Sequence, residues 1–206
     1  MIIWLASYPK SGNTYVRSFL ASYYFSKNGE FDFNLLKNID HYPNKKYFDE
    51  KIDSPYKASQ NWIESQDNLI KNNQKKNFIF KTHSALIAIN NNHFTSKKNT
   101  LGFIYIIRDP RNVITSIKNH YTMDYEEALK MMLNENEYLF DKSQIKDYSN
   151  FVFLSSWKNH YKSWMSNNQY KRIIIKYEDL EKNTFETFEK LIIFINNLTN
   201  DKKKID

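Results

Sequence analysis

The stretch Tyr8-Pro9-Lys10-Ser11-Gly12-Asn13-Thr14 decides how this chain is read. The apolar run from Met1 to Ser7 leads into it, and Tyr15 to Phe25 behind it carries an apolar pattern of helical period. The spacing predicts a strand over 2–8, a tight loop, then a helix over 13–27. A helix starting at such a loop offers unpaired backbone N–H groups and the positive end of its dipole. Gly12 lets the main chain approach an anion closely. Lys10 adds a full charge, and Ser11 and Thr14 add hydroxyl donors. The chain has only three glycines, and one falls here. The segment reads as an anion cradle; the plainer alternative is a strand-to-helix turn capped by Ser and Thr. It is not the Walker sequence, whose glycine-rich run ends in Gly-Lys-Ser/Thr. Here the lysine precedes Ser-Gly, and no glycine stands upstream.

The 206 residues suit one domain, expected to span 1–206. With 15 Tyr, 15 Phe and 4 Trp, the chain has the aromatic content of a packed core. The lack of cysteine excludes disulfides, thiolate ligands and a cysteine nucleophile. No apolar run has the length of a membrane span, and the N-terminus lacks a basic region followed by a cleavage site, so a cytoplasmic location is expected. The net charge of +7 rests almost wholly on lysine in a chain rich in Asn and Ile. It reads as compositional bias, with no nucleic-acid partner expected, and Lys202-Lys203-Lys204 reads as a solvated tail. Arginine is rare: Arg17, Arg108, Arg111 and Arg172. Two of them in one short segment suggest bidentate phosphate recognition.

The remaining elements follow from periodicity. Residues 28–57 read as loop with short helical pieces, 58–73 as helix, and Phe78 to Lys81 as a buried strand. Residues 84–99 fit no single pattern. Phe103 to Ile107 is continuously apolar, as strands buried on both faces of a parallel sheet are. Asp109 and Pro110 fit the cap and first position of a helix over 111–121. Further helices are expected over 124–138, 151–166 and 184–198, and a buried strand over Ile173 to Ile175. Phe151, Leu154, Trp157, Tyr161 and Trp164 form a stripe that reads as core. The alternation predicts a three-layer α/β domain around a central parallel sheet, with a P-loop-like nucleotide-binding architecture.

In open parallel sheets, ligands gather at the carboxyl ends of the strands. Four polar segments follow apolar runs in this way: the Lys10 loop, Lys81-Thr82-His83, Arg108 to Arg111 with Ser116, and Tyr177-Glu178-Asp179. His83, beside Lys81, is placed to accept a proton near pH 7 as an ordinary imidazole would. His120 and His160 lie on expected helices and read as structural. Ser116 lies about two helical turns beyond the Asp109-Pro110 turn, so it and Arg108 can hold one phosphate. The alternative pairs Arg108 with Asp109 and leaves Ser116 in a helix interior. On these residues alone, the two readings stand level.

Together these segments resemble the cytosolic-type sulfotransferase family. Its phosphosulfate loop, Tyr-Pro-Lys-Ser-Gly-Thr-Thr-Trp, is similar to Tyr8 through Tyr15. Its Lys-Thr-His motif corresponds to Lys81-Thr82-His83, and its 3′-phosphate motif to Tyr105 through Val113 with Ser116. Its Trp-rich helix corresponds to Trp157 through Trp164, and its Tyr-Glu-Asp strand end to Lys176 through Leu180. The order agrees from residue 1 to about residue 195. There are departures. Asn13 stands for a phosphate-donating threonine, where an amide can also donate. Tyr15 stands for an adenine-stacking tryptophan, and Ser84-Ala85 for the Leu-Pro after the histidine. The late Arg-Lys-Gly segment does not occur before Asp206.

The resemblance implies transfer of a sulfuryl group from 3′-phosphoadenosine 5′-phosphosulfate (PAPS) to a hydroxyl or amine, with 3′,5′-ADP as product. It implies His83 as general base, Lys10 on the leaving phosphate oxygen and Lys81 on the sulfuryl oxygens. Ser11, Gly12, Asn13 and Thr14 would cradle the 5′-phosphate, Arg108 and Ser116 the 3′-phosphate, and Tyr15 and Tyr177 would flank adenine. No metal is implied, because lysines supply the positive charge. The acceptor would be a small molecule, glycan or lipid, lined by 28–57, 84–99 and 122–150. The alternatives are a weak or inactive PAPS-binding protein and, behind it, a P-loop kinase.

Overall fold

The computed structural model describes residues 1–72, 77–140 and 147–200. The Lys202-Lys203-Lys204 stretch and the last residue of the helix expected over 58–73 lie outside the described residues. The central sheet has four parallel strands: β1 (Ile2–Ser7), β2 (Phe78–Thr82), β3 (Thr100–Ile107) and β4 (Lys171–Lys176), ordered β2-β1-β3-β4. Successive side chains of β1 go to opposite faces, as a strand's period of two dictates. Ile3 and Leu5 join a core cluster with α1 (Asn13–Phe25) and α7 (Thr184–Thr199). Ile2, Trp4 and Ala6 join another with α2 (Pro55–Asn72) and α5 (Trp157–Met165). Helices thus cover both faces, which is the three-layer α/β arrangement expected. Gly102 of β3 allows this packing: a Cβ there would come within 2.8 Å of Leu198 and 2.9 Å of the Lys171 carbonyl.

Only β1 and β3 are central, and both are apolar throughout their cores. The strands expected as buried at 78–81 and 173–175 are edges instead. Ile174 is 43% exposed, and β2 is buried only in part. The free edge of β2 is covered by the 40–42 segment, where Tyr42 N donates to the Lys81 carbonyl and Lys81 N to that of Asp40.

The helix boundaries show where non-local pairing overrides local period. α2 begins at Pro55, an N-terminal proline needing no partner for its missing N–H. α3 (Pro110–Tyr121) is capped by Asp109, whose carboxylate accepts from Arg111 N at 2.9 Å. α4 (Tyr125–Leu133) opens on an Asp124–Glu127 capping box and stops at Asn134, short of the expected 138. Tyr138–Leu139 then pairs with Val152–Phe153 as a small antiparallel ladder. That ladder consumes the front of the helix expected over 151–166. Ser155 is left-handed (φ 58), Ser156 caps, and α5 spans only Trp157–Met165. Phe151, Leu154 and Trp164 are nonetheless buried as core. The unassigned 84–99 segment contains a two-residue hairpin, Ala88–Ile89 with Asn92–His93, turned by left-handed Asn90 and Asn91. α6 (Tyr177–Lys182) follows β4 directly.

Candidate active site

The four strand ends meet at one cleft of 460 Å³. Every residue that the family resemblance assigns a role lines it except Ser11, which is buried in the loop. The loop after β1 takes two left-handed positions, Lys10 (φ 65) and Gly12 (φ 98). Backbone of this kind turns N–H groups toward a shared concavity, and Asn13 and Thr14 follow as the first residues of α1. Gly12 is required twice over. Its φ suits glycine, and a Cβ would lie 2.5 Å from the Tyr177 ring.

Arg108 locks this loop from the end of β3. Its Nη1 donates to the Lys10 carbonyl at 3.0 Å, and its guanidinium lies 4.1 Å from the centre of the Tyr177 ring. Its Nε is buried without a partner among the described residues. The alternative pairing of Arg108 with Asp109 is not what forms. Asp109 pairs with Arg111 at 2.5 Å, and Arg111 is 89% exposed and turned from the cleft. The two neighbouring arginines therefore do not act together; only Arg108 faces the cleft, with Ser116 on α3.

The Asn13 side chain departs from its expected use. Its amide donates back to the Leu5 carbonyl (3.0 Å) and to Ser7 Oγ (3.2 Å), and the residue is buried. The strand end claims the N–H groups that a phosphate would need, so Asn13 can offer the cleft only its main chain. Arg17, one turn on, is spent on the Leu36 and Ile39 carbonyls.

His83 stands at the end of β2 with Nδ1 2.7 Å from the Ser7 carbonyl. A carbonyl only accepts, so Nδ1 carries the proton and Nε2 keeps its lone pair. Burial first, then the charge of Lys81 and smaller repulsions from His160 and Lys10, hold this imidazole down to about 3. The expectation of titration near pH 7 is thus corrected: the ring is neutral well below that. Lys81 is pushed down to about 8 by burial, with Arg17 and Lys10 adding repulsion. Cations crowd together here without a carboxylate among the cleft-lining residues.

His160 is buried, as expected of a structural histidine. His120 is not; it is exposed and lines the cleft beside Tyr121. The signal was available, since His120 follows Ser116 by one helical repeat and shares its face. Tyr15 lines the cleft at 45% exposure, its ring edge-on to Phe188 at 5.6 Å, and Tyr177 lines it from the start of α6. Among the described residues, the segments 28–57, 84–99 and 122–150 contribute nothing to this cleft. Much of 84–99 borders a separate 670 Å³ depression against α2. Residues 141–146 of the third segment lie outside the described residues.

Residues 2–204 match the family model for the sulfotransferase domain. The chain belongs to the sulfotransferase domain family. A 3-alpha-hydroxysteroid sulfotransferase from Cavia porcellus is 28% identical over 123 residues, covering 59% of this chain and 39% of that protein. Mouse sulfotransferase SULT7A1, solved in complex with PAP, superposes with a TM-score of 0.55 at 18% identity, over 94% of this chain and 57% of that one. A retinol dehydratase solved with retinol and PAP gives 0.47 at 15% identity, over 100% and 61%. The chain thus spans less than two thirds of each of these proteins' lengths. As a sulfotransferase domain, it has a cleft whose donor set suits a polyanionic nucleotide. Lys10, Lys81 and Arg108 line it, the α1 N-terminus opens into it, and Arg108 Nε lacks a protein acceptor. No helix among the described residues is long and apolar enough to cross a membrane.

Proposed function

We propose that this chain, acting as one domain over 1–206, is a PAPS-dependent sulfotransferase. It would transfer a sulfuryl group to a hydroxyl or amine of a small-molecule, glycan or lipid acceptor, and a cytoplasmic location suits that role. One observation carries the reading: a neutral imidazole with a free Nε2 lone pair shares a cleft with Lys10, Lys81 and Arg108. When bound, PAPS supplies an activated sulfuryl group on a phosphate leaving group. Lys10 and the main-chain N–H groups from Ser11 to Thr14 would hold the 5′-phosphate. Arg108 and Ser116 would hold the 3′-phosphate, and Tyr15 and Tyr177 the adenine. Lys81 would face the sulfuryl oxygens. The positive charge of Lys10 compensates the negative charge that develops on the leaving oxygen.

His83 Nε2 would take the proton of the acceptor hydroxyl or amine as that oxygen or nitrogen bonds to the sulfuryl sulfur and the sulfur–oxygen bond to the leaving phosphate breaks. Its low basicity in the free protein has a built-in remedy. Two of its causes are Lys81 and Lys10, whose charges the anionic donor neutralises, so donor binding strengthens the base. No metal enters this scheme.

The test is transfer of labelled sulfate from PAPS to a panel of hydroxylated acceptors, beside thermal shift with 3′,5′-ADP, 5′-ADP and ATP. The reading expects transfer and a preference for 3′,5′-ADP. Preference without transfer makes the chain a binding protein; preference for ATP favours a kinase. A folded His83→Ala protein that transfers normally removes His83 from the chemistry.

A further inference from the structure

His83 is held from behind as well as from its own strand. The carbonyl of His83 accepts a hydrogen bond from His160 Nε2 at 3.1 Å, and His160 Nδ1 lies 2.8 Å from the Tyr105 hydroxyl. The carbonyl cannot donate, so Nε2 carries the proton and Nδ1 accepts from Tyr105. Tyr105 therefore fixes the one tautomer of His160 that can hold His83. Both residues are buried and belong to β3 and α5.

The same helix grips the next residues. Trp164 Nε1 donates to the Ser84 carbonyl at 3.1 Å, and Ser163 Oγ accepts from Leu86 N at 2.9 Å. Positions 160, 163 and 164 lie on one helical face, so α5 presents three side chains in register with the backbone leaving β2. Ala85 N donates to the Phe153 carbonyl at 2.8 Å, from the ladder just before α5. His160 also meets the edge of Tyr8, at the start of the cradle loop, with ring centres 5.4 Å apart. None of these groups lines the cleft. A histidine here does what an apolar residue cannot: it donates to a main-chain carbonyl and accepts from a phenol.

We infer that His160 is a positioning residue for His83, with Tyr105 setting its tautomer, so that α5 aligns the base with the sulfuryl group. This rests on the reading of His83 as the base. A base displaced by about an ångström costs on the order of a hundredfold in rate.

The experiment compares His160→Leu, which removes the donor, with His160→Gln, whose amide N–H can occupy the place of Nε2–H. Turnover is measured with PAPS and 2-naphthol, binding with 3′,5′-ADP by calorimetry, and the His83 ring by ¹⁵N-histidine NMR. Expected for His160→Leu is a kcat lower by roughly ten- to a hundredfold. Nucleotide Kd should hold within about twofold, with shifted or broadened His83 ring signals; His160→Gln should restore most of both. Tyr105→Phe, which keeps the packing, should lower kcat less and let His160 populate both tautomers. The inference is overturned if folded His160→Leu turns over normally, if Gln and Leu fail alike, or if nucleotide affinity falls in step with kcat. His83→Ala is run alongside. If that variant retains turnover, the base assignment fails, and the His83 ring signals then judge the positioning by themselves: signals unmoved by His160→Leu overturn it. Should His160→Leu not fold, an unchanged kcat and a single His160 tautomer in Tyr105→Phe overturn it equally.

Discussion

Binding of 3′,5′-ADP should take up a proton at alkaline pH, and Lys81 should be the group that gains it. In the free protein Lys81 is depressed to about 8 by burial and by the charges of Arg17 and Lys10. At pH 8 about half of the molecules then carry it uncharged. A polyanion in the cleft reverses the balance and returns Lys81 toward the ordinary lysine range of about 10.4. Linkage gives an uptake of about 0.1 proton per nucleotide at pH 7, about 0.5 at pH 8 and about 0.9 at pH 9. The same linkage weakens binding by about tenfold between pH 7 and pH 9, or about 1.4 kcal/mol. Lys10, which lines the same cleft, remains in Lys81→Met. The assay is calorimetry in buffers of different ionisation enthalpy at each pH. Lys81→Met should bind more weakly at pH 7 and lose most of the pH-dependent uptake. Uptake absent from the wild type at pH 8 and 9, or unchanged in Lys81→Met, refutes the argument that crowded cations depress this lysine.

Three further outcomes are expected. Arg108→Ala should bind 3′,5′-ADP and 5′-ADP almost equally, and both more weakly than the wild type, because the clip on the Lys10 carbonyl goes with the guanidinium; calorimetry on the two nucleotides checks it, and an unchanged preference moves the 3′-phosphate site elsewhere. Gly12→Ala should cost about 1–3 kcal/mol of stability, since an alanine must hold a left-handed φ and displace Tyr177, and nucleotide affinity should fall with it; urea melts and calorimetry measure both. Acid should destabilise the fold below about pH 6.5, where unfolded histidines begin to bind protons while burial keeps folded His160 near 4 and His83 near 3. The stability present above pH 6.5 is lost as pH falls toward those values, by up to about 1.4 kcal/mol per pH unit for each histidine. His160→Gln should flatten that slope by about half between pH 6 and 5, and an unchanged slope rejects the assignment.

What could be read from the chain was what is encoded locally. The turn from β1 into α1 needs only Gly12's backbone freedom and an apolar run on each side, so its place and form follow from adjacent residues. The Asp109-Pro110 cap is legible for the same reason. The 151–156 segment was misread because its period of three to four does fit a helix, while the partner that claims it as a strand, Tyr138–Leu139, stands more than ten residues away. β2 and β4 were read as buried because apolar runs give no sign of which strand lies at an edge. Within the site, residue type and proximity to a strand end placed the cationic side chains in one cleft, yet said nothing of which polar atoms the protein itself consumes. Asn13 looks like a phosphate donor until the Leu5 carbonyl takes its N–H.

His83 shows the same limit in electrostatic form. A histidine next to a lysine suggests titration near neutrality, but the two lysines and burial together remove that titration from the physiological range. Its neutrality depends on burial first, then on the Lys81 and Lys10 charges from two strand ends with a smaller share from His160, which is itself neutral above about pH 4; its tautomer depends on the Ser7 carbonyl. Its position depends on a third strand and a helix beyond, through Tyr105 and His160. Three of the four strands of the sheet therefore act on one imidazole. Moving the cradle lysines changes how basic it is, whereas moving α5 changes where it points, so the two kinds of variant should separate in kinetics. Lys81→Met should shift the pH dependence of turnover, and His160→Leu should lower turnover at every pH without moving the profile. A His160→Leu profile displaced along the pH axis would mean that α5 tunes the charge of the base instead of its place.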